Sequence, residues 1–456
     1  MAALEAVIVG FAAYAGYYTR FQEWPELLGY ATPASSFAVV LVIAMFAMGV
    51  YESHVREGYA GMILRTAVAI FLLGTLATAV LSYFIPAAFM ARGVLMFSTT
   101  EAFILIAVSR WLTAQFISED ALKKRVLVLG TGSRAVKIAT RMRRNYDQRS
   151  FVLVGFMDIE GSKPDLIQDN GAKLVCSDLP LPDYCEYHRI QEVVVAMDER
   201  RRNKDVVGGL PLDELMECRL RGINVIDVQA FIEREACKVD VDLLRPSWMV
   251  FADGFVANRW YTITKRGFDI FASLAMLFFT WPIILTVSLL IWIGGRFREP
   301  VLYRQDRVGL DGKIFRVMKF RSMSTDAEKE GEAIWATQDD PRVTRIGSII
   351  RKTRIDELPQ LFNVLLGDMS FVGPRPERPE FVEELSRKIP FYEQRHRIKP
   401  GITGWAQLCY PYGASTEDAK EKLQYDLYYL KNHSILLDLI ILVQTVEVVL
   451  VGGGAR

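Results

Sequence analysis

The sequence predicts a membrane protein in three parts. Residues 1–117 form an α-helical membrane bundle, 118–258 a Rossmann-like α/β domain, and 259–456 an α/β domain that carries a re-entrant membrane helix over 266–294. Three observations lead there. Long apolar runs crowd the first 117 residues. From Lys123 short β-branched runs alternate with helical stretches. A later apolar segment, Phe268 to Ile293, has a proline in its middle and basic residues at both ends.

Composition sets the bounds. A chain of 456 residues, 51% hydrophobic and with mean hydropathy +0.18, is greasy for a soluble protein and long enough for two or three units. A net charge of +1 gives no signal for nucleic acid. The five cysteines show no Cys-x-x-Cys spacing and lie outside the apolar segments, which reads as reduced cytoplasmic thiols rather than a disulfide frame or a zinc site.

The apolar runs are Ala2 to Tyr18, Phe37 to Tyr51, Met62 to Met90 and Val94 to Phe116. The last two are long enough to span a bilayer, and the first two need their flanking residues, so four helices are expected. Arg56 and Arg65, with Lys123, Lys124 and Arg125 at the exit, place both ends of the bundle in the cytoplasm, although Arg20 and Arg92 fall on the other side.

Arg125 to Leu129 has the pattern of a buried strand, and Gly130-Thr131-Gly132-Ser133-Arg134-Ala135 turns from it into a helix. Further strands are expected at Phe151 to Met157, Glu192 to Ala196 and Asn224 to Asp227, with a helix at Leu212 to Arg221. Such alternation argues for a parallel sheet. The glycine turn could cradle a dinucleotide with Asp158 on a ribose hydroxyl; the reading preferred is a scaffold whose glycines serve only the turn, in an interaction or sensing module. Tyr261 and Lys265 also fit the Tyr-x-x-x-Lys of short-chain dehydrogenases, which would make the chain a membrane-tethered, NAD-dependent nucleotide-sugar dehydratase. Against this, Lys265 and Arg266 open the apolar segment and read as membrane-surface anchors.

In that segment Pro282 removes a backbone N–H and forces a bend. Lys265 and Arg266 on one flank, and Arg296 and Arg298 on the other, favour return to the cytoplasm over crossing. Beyond it, short strands or turns at Pro300 to Val308 and Lys313 to Met318 carry Arg304, Arg307, Arg316, Lys319 and Arg321, a basic rim suited to lipid phosphate headgroups. Ala327 to Pro341 reads as a polar, acidic loop. Ile435 to Val451, interrupted by Asp438, Gln444 and Glu447, reads as an amphipathic helix that lies on the membrane or packs under the domain core.

Candidate chemistry concentrates at Asp356-Glu357-Leu358-Pro359-Gln360. Carboxylates just ahead of a proline predict Asp356 as the N-cap of a helix running to about Leu366, where the helix start keeps it ionised. Arg342, Arg345, Arg351, Lys352 and Arg354 precede the pair, and Arg375 follows between two prolines. Cations around two carboxylates suggest a phosphate substrate with a divalent metal. The plainer alternative is that Asp356 only caps and Glu357 only pairs with Arg354.

Six ordered blocks favour the chemical reading: Lys265-Arg266-Gly267-Phe268-Asp269, Tyr303-Arg304-Gln305-Asp306-Arg307-Val308-Gly309, Phe315-Arg316-Val317-Met318-Lys319-Phe320-Arg321-Ser322-Met323, Asp356-Glu357-Leu358-Pro359-Gln360, Gly373-Pro374-Arg375-Pro376-Glu377 and Lys399-Pro400-Gly401-Ile402-Thr403-Gly404-Trp405. With them, residues 262–456 resemble the bacterial sugar transferases known as large monotopic phosphoglycosyl transferases. The resemblance implies transfer of hexose-1-phosphate from a UDP-sugar to undecaprenyl phosphate with release of UMP, at the start of exopolysaccharide or O-antigen synthesis. It implies Asp356 as the nucleophile that forms an aspartyl phospho-sugar, and Glu357 as the ligand of Mg²⁺. Arg375 and Arg354 are then phosphate clamps, and Lys319 and Arg321 contacts to phosphate or lipid head. Arg304, Arg307, Gln360 and Pro374 complete the substrate-binding set. The expected setting is the bacterial inner membrane, multi-pass, with the catalytic domain cytoplasmic in contact with the lipid bilayer, and a homodimer is a further expectation. A non-catalytic assembly protein of the same fold remains an alternative beside the dehydratase.

Overall fold

The computed structural model describes residues 2–51, 59–116, 123–141, 150–158, 172–177, 179–198, 210–244, 254, 259–323, 342–410, 413 and 415–451, and the chain divides into two units, Met1–Leu244 and Arg245–Arg456.

In the first unit the four expected apolar runs become helices. These are α1 (Ala2–Phe21), α2 (Ala31–Ala47), α3 (Tyr59–Ala67), which passes through a π-helical stretch at Val68–Gly74 into α4 (Thr75–Phe84), and α5 (Arg92–Phe116). Gly61–Phe84 and Arg92–Thr113 are long and apolar enough to cross a membrane, and Ala31–Ala47 is a shorter apolar helix. A buried ion pair fixes their register. Glu5 of α1 accepts from Arg110 of α5 at 2.7 and 2.9 Å, Tyr51 donates to the same carboxylate at 2.5 Å, and Arg110 also donates to Thr66 of α3. Gly16 lets α1 approach α5 closely, since a Cβ there would lie 2.3 Å from Ser98 Oγ.

The same unit holds a parallel five-stranded sheet. Its elements are β1 (Lys124–Leu129), α6 (Ser133–Arg141), β2 (Phe151–Met157), β3 (Leu174–Val175), α7 (Leu181–Tyr187), β4 (Glu192–Val195), α8 (Leu212–Leu220), β5 (Asn224–Asp227) and α9 (Val228–Ala236). Strand order is β3-β2-β1-β4-β5. Alternation along β1 builds a core on each face. Val126 and Val128 pack with Ile138 and Phe231, while Leu127 and Leu129 pack with Cys185, Leu215 and Cys218.

The second unit begins with α10 (Arg259–Gly294). Then come an antiparallel pair, β6 (Leu302–Val308) and β7 (Ile314–Phe320), and α11 (Arg345–Lys352). A 3₁₀ turn (Ile355–Glu357) leads into α12 (Gln360–Leu366), β8 (Ser370–Val372) and α13 (Pro379–Lys388). A second 3₁₀ turn (Tyr392–Arg397) precedes β9 (Gly401–Thr403), parallel to β8, and the chain ends in α14 (Trp405–Cys409), α15 (Thr416–Asn432) and α16 (Ile435–Val451).

Two sequence expectations change here. First, the apolar segment is not a pair of helices. α10 starts at Arg259 and runs for 36 residues as one α-helix through Pro282. Second, Lys265 and Arg266 hold protein rather than the membrane surface. Lys265 Nζ pairs with Asp438 at 2.7 Å and donates to the Val372 carbonyl, and Arg266 donates to the carbonyls of Val364 and Leu365 at the C-terminal end of α12. Of the two alternatives for Ile435 to Val451, packing under the domain core holds: Asp438 is fully buried on Lys265 and Tyr429, and Thr445 meets Thr403. The loop expected at Ala327 to Pro341 lies outside the described residues.

Candidate active site

The dyad sits on a local strain. Arg354 adopts a left-handed backbone (φ 57°), which ends the turn after α11 and starts the 3₁₀ turn of Ile355–Glu357. Pro359, with no N–H to lose, precedes the first residue of α12. Asp356 is therefore not the expected N-cap. It lies in a separate 3₁₀ turn, and its Oδ1 has no hydrogen-bond partner.

Both carboxylates are buried, but their surroundings differ. Glu357 Oε1 is 3.2 Å from Lys319 Nζ, 3.3 Å from Arg375 Nη2 and 3.7 Å from Arg354 Nη1. Burial alone would raise its pKa; Lys319, Arg375 and Arg354 outweigh burial and lower it to about 2. Asp356 shows the opposite outcome. Burial and the Glu357 charge push it up against the pull of Lys319, Arg354 and Arg351, and Oδ1 is buried without a hydrogen-bond partner. The helix start expected to keep Asp356 ionised is thus absent, and burial with the Glu357 charge works against the pull of the nearby cations. Lys319 is pushed down by burial and partly restored by Glu357.

β7 carries Lys319 to the dyad and the loop after β8 carries Arg375. That loop is fixed from several sides. A Cβ at Gly373 would lie 2.3 Å from the Lys399 carbonyl oxygen, so only glycine permits the close approach of the β9 strand entrance. Pro374 contributes its carbonyl, which accepts from Gly401 N at 2.9 Å. Arg395, buried and paired with Asp426 at 2.8 Å, donates to the Arg375 carbonyl.

Of the residues singled out in the sequence, Asp356, Glu357, Lys319, Arg354 and Arg375 come together. Gln360 is buried at the first turn of α12. Arg307 and Arg321 are engaged by other protein groups. Arg307 donates to the Pro376 carbonyl and to Gln305, bracing the Arg375 loop, and Arg321 pairs with Glu299 and reaches the Ile291 carbonyl at the end of α10. Arg304 is exposed on β6. Pro282 is exposed within α10.

Sequence reasoning missed the supports. Asp269, inside a recognised block, accepts from Ser370 Oγ and Phe371 N, each at 3.0 Å. Asn363 is polar within an apolar run, and Arg395 is one of several charged residues between Glu393 and Arg397; neither carried a further signal.

The other two candidate sites are internally engaged. At the glycine turn, Asp198 accepts from Ser133 N (2.7 Å), Arg134 N (3.0 Å) and Ser133 Oγ, and Asp158 accepts from Thr131. The Tyr261 ring packs tilted against His433, and Lys265 is held by Asp438.

Comparison with known proteins matches residues 260–452 to the family model for bacterial sugar transferases. A UDP-N-acetylgalactosamine-undecaprenyl-phosphate N-acetylgalactosaminephosphotransferase of Aeromonas hydrophila is 42% identical over 242 residues, covering 53% of this chain and 56% of that protein. An undecaprenyl-phosphate glucose phosphotransferase of Komagataeibacter xylinus is 34% identical over 333 residues, 72% of this chain and 59% of that protein. An exopolysaccharide production protein of Rhizobium leguminosarum bv. phaseoli is 44% identical over 192 residues, 40% of this chain and 94% of that protein. The chain thus spans little more than half the length of the first two relatives and nearly all of the third.

Proposed function

Because this chain belongs to the bacterial sugar transferase family, we propose that it moves a sugar-1-phosphate from a UDP-sugar to undecaprenyl phosphate through a covalent intermediate on Asp356. The observation that carries this reading is the asymmetry of the dyad: Glu357 Oε1 faces three cations, whereas Asp356 presents a buried, unpartnered Oδ1 beside them. An unpaired carboxylate oxygen next to phosphate-binding cations is arranged for attack.

In the first half-reaction an Asp356 oxygen attacks the sugar-side phosphorus. The bond from that phosphorus to the bridging oxygen breaks, and UMP leaves with the electron pair. In the second, an oxygen of the lipid phosphate attacks the same phosphorus and frees the Asp356 carboxylate. Arg375, Lys319 and Arg354 neutralise charge on the phosphoryl oxygens. Mg²⁺ sites of this kind use one or two carboxylates and are completed by substrate phosphates, and Glu357 is the carboxylate that would hold the ion here. The ion would supply further neutralisation of the diphosphate.

The relatives' names supply the acceptor class and the UDP-sugar donor, here carried over as part of the proposal. We read the parallel sheet as Rossmann-like, and the setting as the inner membrane, crossed by the apolar helices of the first unit with the catalytic domain cytoplasmic. A re-entrant path for α10 is supported by its two ends. Lys265 and Arg266 grip α16 and α12, while Val287 and Ile291 pack with Phe320 and Ile350 of the same unit.

The test uses purified protein with Mg²⁺, polyprenyl phosphate and a panel of UDP-sugars. UMP release with one donor, lost in Asp356→Asn, is the expected result. UMP release that persists in Asp356→Asn would remove the covalent mechanism.

A further inference from the structure

The spacing of Lys319 and Glu357 has to be set by something, because they sit on different elements. Lys319 lies near the end of β7, a strand with a neighbour, β6, along one edge. Glu357 lies in the turn that precedes α12. The pairing of Arg321 N with the Val301 carbonyl, continuing the β6–β7 ladder, directs the odd-numbered backbone groups of β7 towards β6. The even-numbered groups face the other way.

The side chain of Asn363 meets that second edge. Its Oδ1 accepts from Met318 N at 2.9 Å and its Nδ2 donates to the Arg316 carbonyl at 2.8 Å. One amide thus satisfies a donor and an acceptor two residues apart, as a neighbouring strand would. Asn363 is almost fully buried, and its own carbonyl accepts from Gly367 N, Asp368 N and Met369 N, which begin the path to the Arg375 loop. Arg316 and Met318 are thereby tied to α12, and Met318 is the immediate neighbour of Lys319.

We propose that Asn363 is a positioning residue for the transfer reaction: its side-chain amide locks β7 to α12 and so holds Lys319 opposite Glu357. The inference rests on the transferase reading above. No other side chain bridges these two backbone groups to α12 among the described hydrogen bonds. Loss of the amide releases the strand edge, and Lys319 loses the fixed distance on which its charge acts.

The test is a double-mutant cycle in the full-length enzyme, reading kcat and KM for UMP release together with thermal stability. Wild type, Asn363→Ala, Lys319→Ala and the double variant are compared. If Asn363 acts through Lys319, Asn363→Ala lowers kcat/KM by tenfold or more with Lys319 present and by less than about threefold with Lys319 absent, while the loss of Tm is the same in both backgrounds. Asn363→Asp serves as the second variant. The introduced carboxyl, when protonated, can donate and accept in the amide's place, so the activity of this variant relative to wild type rises as pH falls, measured where both proteins remain folded. Equal fold losses from Asn363→Ala in both backgrounds would overturn the proposal, as would Asn363→Ala at wild-type rates. Failure of the transferase reading is distinct from either result, since wild type itself would then release no UMP.

Discussion

At the scale of single residues, Asp356 trades stability for reactivity. Its carboxyl is buried, Oδ1 has no partner, and burial together with Glu357 raises its pKa above the ordinary 3.8. A carboxylate raised on folding costs stability when ionised in both states, and that cost disappears once pH falls below the unfolded value. Asp356→Asn is therefore expected to abolish UMP release while its Tm equals or exceeds that of wild type at pH 7. The difference in Tm closes as pH falls towards the ordinary carboxylate range. Thermal unfolding of the two proteins across that range checks it, and a Tm several degrees below wild type at pH 7 would show that Asp356 is a structural residue. Glu357 behaves oppositely, with three cations lowering it to about 2.

At the scale of elements, the first turn of α6 shows how a motif can be present and yet engaged. Backbone N–H groups at a helix start can bind anions, and ligands of open parallel sheets enter where strand order reverses, here between β1 and β4. Asp198, just beyond β4, already fills those N–H groups. Asp198→Ala is expected to cost about 1 kcal/mol, the loss of a helix cap, seen as a lower urea midpoint for the first unit. Full-length wild type is expected to show no NAD binding by calorimetry; saturable binding would revive the dinucleotide reading.

What the sequence revealed follows from where the signal is local. Strand Lys124–Leu129 with its glycine turn and the apolar helices were legible because β-branched runs and apolar length are written in consecutive residues, whereas Lys319 and Arg375, distant in sequence from the dyad, were given their roles beside it only through the family resemblance. The 3₁₀ turn at Asp356 was not legible, because its cause is the left-handed Arg354, a conformation no composition signals. Nor were Arg307, Arg321 and Lys265 legible as structural. A buried arginine reads like an exposed one until the carbonyls it meets are brought to it by distant chain, as Pro376 is to Arg307 and Ile291 to Arg321; Val372 comes to Lys265 in the same way.

At the scale of the whole molecule, the path of α10 decides on which face of the membrane the chemistry occurs. A straight helix of 36 residues is about 54 Å long, and a bilayer's hydrocarbon core is about 30 Å thick. A crossing helix would carry Arg266 and Ile291 to opposite faces. Yet Arg266 is bound to α12, and Ile291 belongs to a cluster that includes Leu358, two residues before α12 begins. The two positions on α10 are about 38 Å apart along a straight axis, further than so short a stretch of chain separates their partners. The re-entrant path proposed above therefore predicts a bent axis at Pro282, where proline removes the hydrogen bond that would keep the helix straight. The prediction is made on a variant lacking the five native cysteines, with a single cysteine placed at Arg259 or at Arg296. Both sites are expected to react with a membrane-impermeant maleimide in inside-out vesicles, and neither in intact spheroplasts. Labelling of one site from each side would mean that α10 crosses, which would put residues 300–456 across the membrane from cytoplasmic nucleotide sugars.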